Sequence, residues 1–490
     1  VKTTAQEAKL LKTTDLTAAG IRVRDGLPVF TGVCLDSRHA RPGDLFAAIP
    51  GVKANGLQFA ADAIARGATA VLVPHSFETP ELSVPVLVSE NIRRSVALLA
   101  ARLYTEQPET LVAVTGTNGK SSTVDLCRQL WQLGGVRAAS LGTLGVVADA
   151  WTLPGSLTTP DPLTLHQTLQ MLVGRGVQHA ALEASSHGLD QERLAGLRLK
   201  AAAFTNLTRD HLDYHKTEEN YFAAKARLFA DVLGAGGVAV LNRDSVRFET
   251  LAFFARTEKQ QILSFGRHPE ADLRLVDVTP AAHGQRLHLQ LQGAAFPDVL
   301  LPLFGGFQAE NLLTALGLLI GTGTAARDLI ARIPQLAGVP GRLEAVTPTG
   351  HPFAVFVDYA HTPDALKNAL QSLRPHTSGR LIIVFGCGGD RDTGKRPLMG
   401  QVAAQLAEVV IVTDDNPRTE DAALIRAAVR TGCPEALDIG DRRAAIAAAI
   451  AMAKAGDTVL LAGKGHESGQ IVGDVVLPFS DRTVAQSLLG

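Results

Sequence analysis

Cysteine is scarce in this chain: there are four in 490 residues, Cys34, Cys127, Cys387 and Cys433, far apart and with no CxxC pair. That spacing supports neither a disulfide framework nor a cysteine zinc site, and it favours a reducing compartment. Aromatic residues reach only 5%, so the cores must be aliphatic. Neither sign of charge is in excess. Lys plus Arg number 47 against 48 Asp plus Glu, a formal net charge of −1, so no global field marks the chain for nucleic acid or an anionic membrane. Long apolar runs are missing too: none approaches the roughly 18 residues of a membrane span, and the stretch Val1 to Leu16 lacks the apolar core of a secretory signal. The expectation is a soluble cytoplasmic protein with no nucleic-acid partner and no stable membrane insertion.

What is present is the composition of a folded globular protein, with 46% hydrophobic and 19% charged residues. The length suits about two to four domains. Apolar runs and turn signals alternate in three blocks. In residues 1–107, the β-branched runs Thr69 to Val73 and Val84 to Val88 alternate with helical stretches at Leu57 to Arg66 and Arg93 to Leu103, predicting a small α/β domain. The polar segment Tyr104 to Thr110 reads as a linker. Residues 108–339 begin with an apolar run, Leu111 to Thr115, that enters a glycine loop and a helix from about Lys120 to Leu133. Further runs at His179 to Leu182, Ala201 to Thr205 and Val238 to Leu241 predict a mostly parallel sheet of P-loop type, covered on both faces. Within Ile262 to Leu303, the runs LRLVDV and RLHLQLQ alternate with period two and predict antiparallel strands at one edge of this domain. After Gly338-Val339-Pro340-Gly341, strands at Ala354 to Val357, Leu381 to Phe385, Val409 to Thr413 and Thr458 to Leu461 predict a doubly wound, Rossmann-like domain over 340–490.

Chemistry-bearing residues collect where these strands end, which is where open α/β sheets bind ligands. Gly116-Thr117-Asn118-Gly119-Lys120-Ser121-Ser122 lies between a strand and a helix, so its N–H groups, Lys120 and Ser121 suit phosphates and Mg2+. The strict GxxxxGK(S/T) pattern is not met, since Val114 stands five positions before Gly119. A plain helix start at a glycine turn suits the same residues. Asn206 to His215 forms a dense polar cluster just after the run Ala201 to Thr205; the spacing of His211 and His215 suggests zinc, but no convincing third-ligand pattern accompanies them, and Mg2+ bound to phosphate fits better. Glu183 also sits at a strand end. In the third block, Gly386 to Asp392 fails the GxGxxG fingerprint because position 391 is Arg, which argues against a dinucleotide.

Together, TGTNGKSS, LEASSHGLDQERL, NLTRDHLDYH, DYAHTPD, GCGGDRDTGKRP, DDNPRTED and AGKGHE resemble the Mur ligase family of peptidoglycan synthesis, across all three blocks. The resemblance implies an ATP-dependent, amide-forming, ADP-forming ligase that works through an acyl phosphate. Its substrates would be UDP-N-acetylmuramoyl-L-alanyl-D-glutamate and meso-2,6-diaminopimelate, with L-lysine as an alternative acceptor and a folylpolyglutamate synthetase as an alternative member of the superfamily. It implies a UDP-sugar domain over 1–107, an ATP domain over 108–339 and an amino-acid domain over 340–490. ATP would meet Gly116 to Ser122, with Lys120 stabilising the transferring phosphoryl group; Asn311, Arg342 and Asp358 would add base, phosphate and ribose contacts on domain closure. Ser121, Glu183, His211 and a carbamylated Lys225 would hold Mg2+. Unmodified, Lys225 reads as an ordinary helix lysine; Asn311, Arg342 and Asp358 read equally as a helix cap, a surface charge and a strand-end cap. Leu35, Ser37, Thr158, Thr159, Ser185, Gln191 and Arg193 would contact the UDP-linked substrate. Arg391, Asp415, Asn416, Pro417, Arg418, Gly463 and Glu467 would form the diaminopimelate pocket, Arg418 offering a fork to the carboxylate that lysine lacks. The resemblance further implies a monomer.

Overall fold

The computed structural model describes residues 10–490 apart from 24–28, 52–54, 78–80, 150, 156, 282–283 and 349. The first nine residues of the N-terminal block and of the opening stretch therefore lie outside the described residues. The chain divides into two compact units, residues 1–271 with 314–326, and residues 272–313 with 327–490. Among the described residues, no helix is long and apolar enough to cross a membrane.

The first unit holds two sheets. The N-terminal sheet orders its strands Ile21–Arg22, Val86–Ser89, Ala70–Pro74, Asp44–Ala47, Gly32–Cys34, all parallel except the first. Leu45, Leu72, Val96 and Leu99 are among the aliphatic residues of its core. The stretch expected to be helical from Leu57 opens as a 3-10 turn, Gly56–Phe59, before the helix Ala60–Ala65. The helix Ile92–Leu103 starts where the Asn91 side chain accepts the Arg94 N–H at 3.1 Å, satisfying one of the donors a helix start leaves open.

The larger sheet of this unit runs Gln261–Gly266, Val238–Asn242, Ala201–Phe204, Thr110–Thr115, His179–Glu183, Ala138–Gly142, all parallel, followed by the antiparallel Gly145–Val147 and Thr152–Leu153. Its inner strands read as near-continuous apolar runs because helices bury both faces. Register sets Glu183 opposite Val114 and Phe204 opposite Thr115, so three strand ends open beside one another. The antiparallel expectation from Ile262 onward needs correcting at its start. Gln261–Gly266 continues the parallel sheet, and antiparallel pairing begins with Leu273–Ala281 and Gly284–Leu291, a bulged hairpin of the second unit. The sequence of Gln261–Gly266, QILSFG, lacks the period-two alternation that LRLVDV and RLHLQLQ show, and those runs are the ones that pair antiparallel.

The second unit also contains a sheet ordered Glu344–Ala345, Ala354–Asp358, Thr458–Ala462, Leu381–Phe385, Val409–Val412, Leu437–Asp438, parallel except for the first strand. Helix Arg442–Met452 is capped by Asp441, whose carboxylate accepts the Ala444 N–H. A small hairpin, Gly469–Val472 with Val475–Pro478, follows the last strand of the sheet.

Candidate functional site

Strand Thr110–Thr115 is buried along its length and delivers the chain into a loop where Gly116 and Gly119 adopt φ of 142° and 87°. Both conformations are open to glycine at little cost, and a Cβ on Gly116 would strike the Thr205 hydroxyl. Asn206 moulds this loop. Its carbonyl accepts the Thr117 N–H at 2.9 Å and its Oδ1 the Asn118 N–H at 3.0 Å, while the Thr205 hydroxyl donates to the Asn118 carbonyl at 2.7 Å. Helix Lys120–Leu133 begins immediately after Gly119, and Ser121 and Ser122 fall in its first turn, where N–H groups suit an anion.

Two lysines converge on one carbonyl. Lys120 Nζ donates to the Gly116 oxygen at 2.9 Å and to the Thr117 oxygen at 2.8 Å, and Lys225 Nζ donates to the same Gly116 oxygen at 2.7 Å. Lys225, on helix Glu218–Arg227, is only 1% exposed and lies over the Tyr221 ring at 4.4 Å. Burial drives its pKa well below the usual lysine value and the charge of Lys120 drives it further, against a smaller opposing pull from Asp210.

Glu183, the last residue of its strand, is buried and held from two sides. Its Oε1 accepts the Ser121 hydroxyl at 2.8 Å and the Thr143 N–H at 2.9 Å. Gly142 leaves room for that carboxylate, which a Cβ there would overlap. Ser121 hydroxyl and Glu183 carboxylate make an oxygen pair suited to a hard cation such as Mg2+. His211 stands nearby with φ of 52°, its Nε2 3.6 Å from Asp210, its ring edge-on to His187 with centroids 5.0 Å apart. Burial lowers its pKa; Asp210 opposes this, and His187, Lys120 and Lys225 add to it.

A second cluster adjoins Glu183. The Thr143 and Thr158 hydroxyls are 3.0 Å apart, the Thr159 hydroxyl donates to the Glu183 carbonyl at 2.8 Å, and Ser185 N–H donates to that hydroxyl at 3.0 Å. Arg193 donates to the Thr159 carbonyl and, at 2.8 Å, to Gln191 Oε1; Gln191 Nε2 donates to the Tyr214 hydroxyl at 3.3 Å. Thr158, Thr159, Ser185, Gln191 and Arg193 thus form one network. Leu35 and Ser37 sit on the N-terminal sheet's margin, Ser37 buried at the start of the 3-10 turn Ser37–His39, which Asp36 caps by accepting the Arg38 N–H. Among the described hydrogen bonds, none links them to the threonine cluster.

Asn311, Arg342 and Asp358 belong to the second unit, the phosphate loop to the first. Asn311 is buried inside helix Gly306–Gly321 and donates to Gln308 at 3.0 Å. Asp358 ends its strand, accepting the Leu343 N–H at 2.6 Å and the Ala360 N–H at 2.8 Å, and the Arg342 guanidinium covers the Tyr359 ring.

The ends of strands Leu381–Phe385, Val409–Val412 and Thr458–Ala462 bring Gly388-Gly389, Asp415 to Arg418 and Gly463 to Glu467 together. Asn416 is the joint. Its Oδ1 accepts Lys464 Nζ at 3.1 Å and the Ile471 N–H at 2.9 Å, and its Nδ2 donates to Glu467 Oε2 at 2.9 Å, which also accepts Lys464 Nζ at 3.0 Å. Arg418 is half-buried at φ of 53°, its Nη1 donating to the Gly389 carbonyl at 2.7 Å. The Gly469–Val472 hairpin straps its backbone: Arg418 N–H donates to Ile471 and Gly473 N–H to the Arg418 carbonyl. Pro417 accepts the Glu420 N–H, Asp415 flanks Gly463, and Arg391 remains exposed. Beneath, the wholly buried Arg442 pairs with Asp481 at 2.7 Å and donates to the Ala462 and Asp414 carbonyls, anchoring two of the three strand ends.

Sequence reasoning passed over Thr143, Lys464 and Arg442. Lys464 stood in a motif already singled out, and its 0% exposure is the signal sequence cannot display.

Three family descriptions match the chain: "Mur ligase family, catalytic domain" over residues 29–104, "Mur ligase middle domain" over 114–319, and "Mur ligase, glutamate ligase domain" over 341–465. Proteins named UDP-N-acetylmuramoyl-L-alanyl-D-glutamate--2,6-diaminopimelate ligase from Mesorhizobium japonicum and Caulobacter vibrioides are each 50% identical to it, over 94% of this chain and 94% and 95% of theirs. A solved structure of a protein with the same name shares 38% identity and superposes with a TM-score of 0.70, covering 94% of both chains. A folylpolyglutamate synthase of Mycobacterium tuberculosis complexed with ADP and AMPPCP shares the fold at 20% identity, with a TM-score of 0.63 over 76% of this chain and 92% of that one.

Proposed function

Since the chain belongs to the Mur ligase family, ATP-dependent ligases that form amide bonds, we propose that it joins meso-2,6-diaminopimelate to UDP-N-acetylmuramoyl-L-alanyl-D-glutamate in peptidoglycan precursor synthesis. The observation that carries this reading is Arg418, held in a left-handed backbone by the Gly469–Val472 hairpin, with its guanidinium on the Gly389 carbonyl. A fixed guanidinium reads the second carboxylate of diaminopimelate, and lysine would leave it unpaired. Asp415, Pro417, Gly463 and Arg391 complete the pocket.

In the reaction, a D-glutamate carboxylate oxygen attacks the γ-phosphorus of ATP and the bond to the β-phosphate oxygen breaks, releasing ADP and leaving an acyl phosphate. The acceptor amine then attacks the acyl carbon, phosphate departs, and the nitrogen loses a proton. Lys120 leaves its loop carbonyls to meet the charge on the transferring phosphoryl group. Asn311 serves the base, Arg342 a phosphate and Asp358 the ribose. Thr158, Thr159, Ser185, Gln191 and Arg193, with Leu35 and Ser37, hold the UDP-linked substrate. Ser121, Glu183, His211 and Lys225 would hold Mg2+, which would supply charge neutralisation at the phosphates. Lys225 fits that role once it is a carbamate. A buried amine with a depressed pKa carries the lone pair that adds to CO2, and loss of a proton from nitrogen leaves an anionic oxygen ligand in place of a cation.

We keep the domain division at 107 and 339, and take the protein to be a monomer acting in the cytoplasm, where ATP and UDP-linked substrates are available; four free, buried cysteines accord with that. Phosphate release from ATP with Mg2+ and the UDP-dipeptide tests the reading. Turnover should depend on meso-diaminopimelate. Preference for L-lysine would overturn the acceptor assignment, and turnover only with a pterin substrate would move the chain to the folylpolyglutamate branch.

A further inference from the structure

Glu192 lies between Gln191 and Arg193, yet its side chain takes no part in their network. It is 9% exposed and adopts φ of 58°, a conformation that costs a non-glycine residue energy and persists only where the surroundings impose it. Its carboxylate meets two other parts of the first unit. On one side Oε1 accepts Asn91 Nδ2 at 3.1 Å and Oε2 accepts Arg94 Nη1 at 3.4 Å. Asn91 is the cap of helix Ile92–Leu103, which packs into the core of the N-terminal sheet. On the other side Glu192 pairs with Arg227, which also donates to the Leu189 and Asp190 carbonyls at 3.2 and 3.3 Å. Arg227 stands two residues beyond Lys225 on the same helix.

We infer that Glu192 is a positioning residue: its carboxylate fixes the Gln191–Arg193 turn between the N-terminal domain and the helix that carries Lys225. The inference rests on the proposed function in taking Gln191 and Arg193 as contacts of the UDP-linked substrate. The left-handed residue divides the labour of three neighbours. Gln191 and Arg193 bond each other and reach Tyr214 and Thr159, while Glu192 holds the turn from behind. Placement of the N-terminal domain is thereby passed to the residues that contact the UDP-linked substrate.

The joint can be disturbed from both sides in the full-length enzyme. Glu192→Gln removes the charge while keeping the shape. Asn91→Asp keeps an acceptor for the Arg94 N–H but sets a second carboxylate against Glu192. Both should raise KM for the UDP-dipeptide about tenfold, the equivalent of about 1.4 kcal/mol, with KM for ATP and diaminopimelate within about twofold of wild type. Amide hydrogen exchange across 186–198 should quicken in both variants. Should Glu192→Gln fold poorly, Glu192→Gly, relieved of the left-handed strain, should give the same KM split. An unchanged KM for the UDP-dipeptide, or all three KM values rising together, overturns the inference. Unaltered exchange across 186–198 overturns it even if wild-type turnover fails, an outcome that would itself strike the functional reading instead.

Discussion

Replacing Arg418 should separate acceptor choice from stability, because its backbone and its guanidinium are held by different partners. The backbone sits at φ of 53°, strapped to Ile471 and Gly473, and the side chain is half-buried with Nη1 on the Gly389 carbonyl. Among the described hydrogen bonds, its Nε and Nη2 donate to no group and can meet a carboxylate. Truncating one partner of a hydrogen-bonded charge pair costs about 2–5 kcal/mol when the pair is buried. With Arg418 only half-buried, the lower part of that range applies: about 2–3 kcal/mol, or roughly 30- to 150-fold in kcat/KM for diaminopimelate. Arg418→Ala and Arg418→Gly should show the same kinetic loss, while kcat/KM for L-lysine stays level or rises. Glycine, free of the left-handed penalty of about 1 kcal/mol or more, should melt above the alanine variant. Phosphate release with the two acceptors in competition, alongside thermal unfolding, measures both effects. Retained diaminopimelate selectivity in either variant would refute the assignment of Arg418, and a melting order with alanine above glycine would refute the account of its backbone.

Gly142→Ala puts a Cβ where the Glu183 carboxylate lies, so the Mg2+ concentration for half-maximal turnover should rise about tenfold, corresponding to about 1.4 kcal/mol of lost cation binding; titration with Mg2+ at saturating ATP checks this. Lys464→Met should raise KM for diaminopimelate by about tenfold or more and lower the melting temperature, since it leaves Asn416 and Glu467 without their shared buried donor; KM for ATP is the internal control. Incubation with 13C-labelled bicarbonate should give a carbamate resonance in the wild type that is missing in Lys225→Arg, and the signal should weaken on acidification as the amine becomes protonated. Asp457 gives a pH test of stability. Burial alone would raise its pKa, but hydrogen bonds from the Arg380 side chain and from the Arg380 and Lys454 N–H groups prevail and hold it at about 2. The wild type should therefore exceed Asp457→Asn in stability by a constant margin above about pH 4, and the margin should shrink as pH falls toward 2.

The strands that matter announce themselves in sequence as apolar runs ending in polar or glycine loops. For that reason helix Lys120–Leu133 and strand Leu381–Phe385 are found at their predicted bounds. Leu273–Ala281 and Gly284–Leu291 were equally legible from their alternation, whereas Gln261–Gly266, which lacks it, joined the parallel sheet. Residues that act by touching a distant partner left no such trace. Thr143 is an uncharged residue in a turn, and nothing local shows that it will meet Glu183. Lysine is among the residues least often buried, so Lys464 could be read only as a solvated neighbour of Glu467 until the fold closed over it. Glu192 is hidden for another reason. Its three partners lie about a hundred residues upstream and 35 downstream in sequence, and only the tertiary fold gathers them.

The order of strands in the C-terminal sheet bears on how the protein is made. Thr458–Ala462 lies between Ala354–Asp358 and Leu381–Phe385. A chain emerging from the ribosome must therefore carry two unjoined strand edges until Thr458–Ala462 has been synthesised. Long-range parallel pairing of this kind is slow and leaves apolar edges open to other chains in the meantime. Premature termination anywhere between Leu381–Phe385 and Thr458–Ala462 would yield a split sheet with no middle, prone to clump with its neighbours. For such an enzyme, the pace of translation and the company of chaperones while residues 386–462 emerge should govern yield more than the stability of the finished fold.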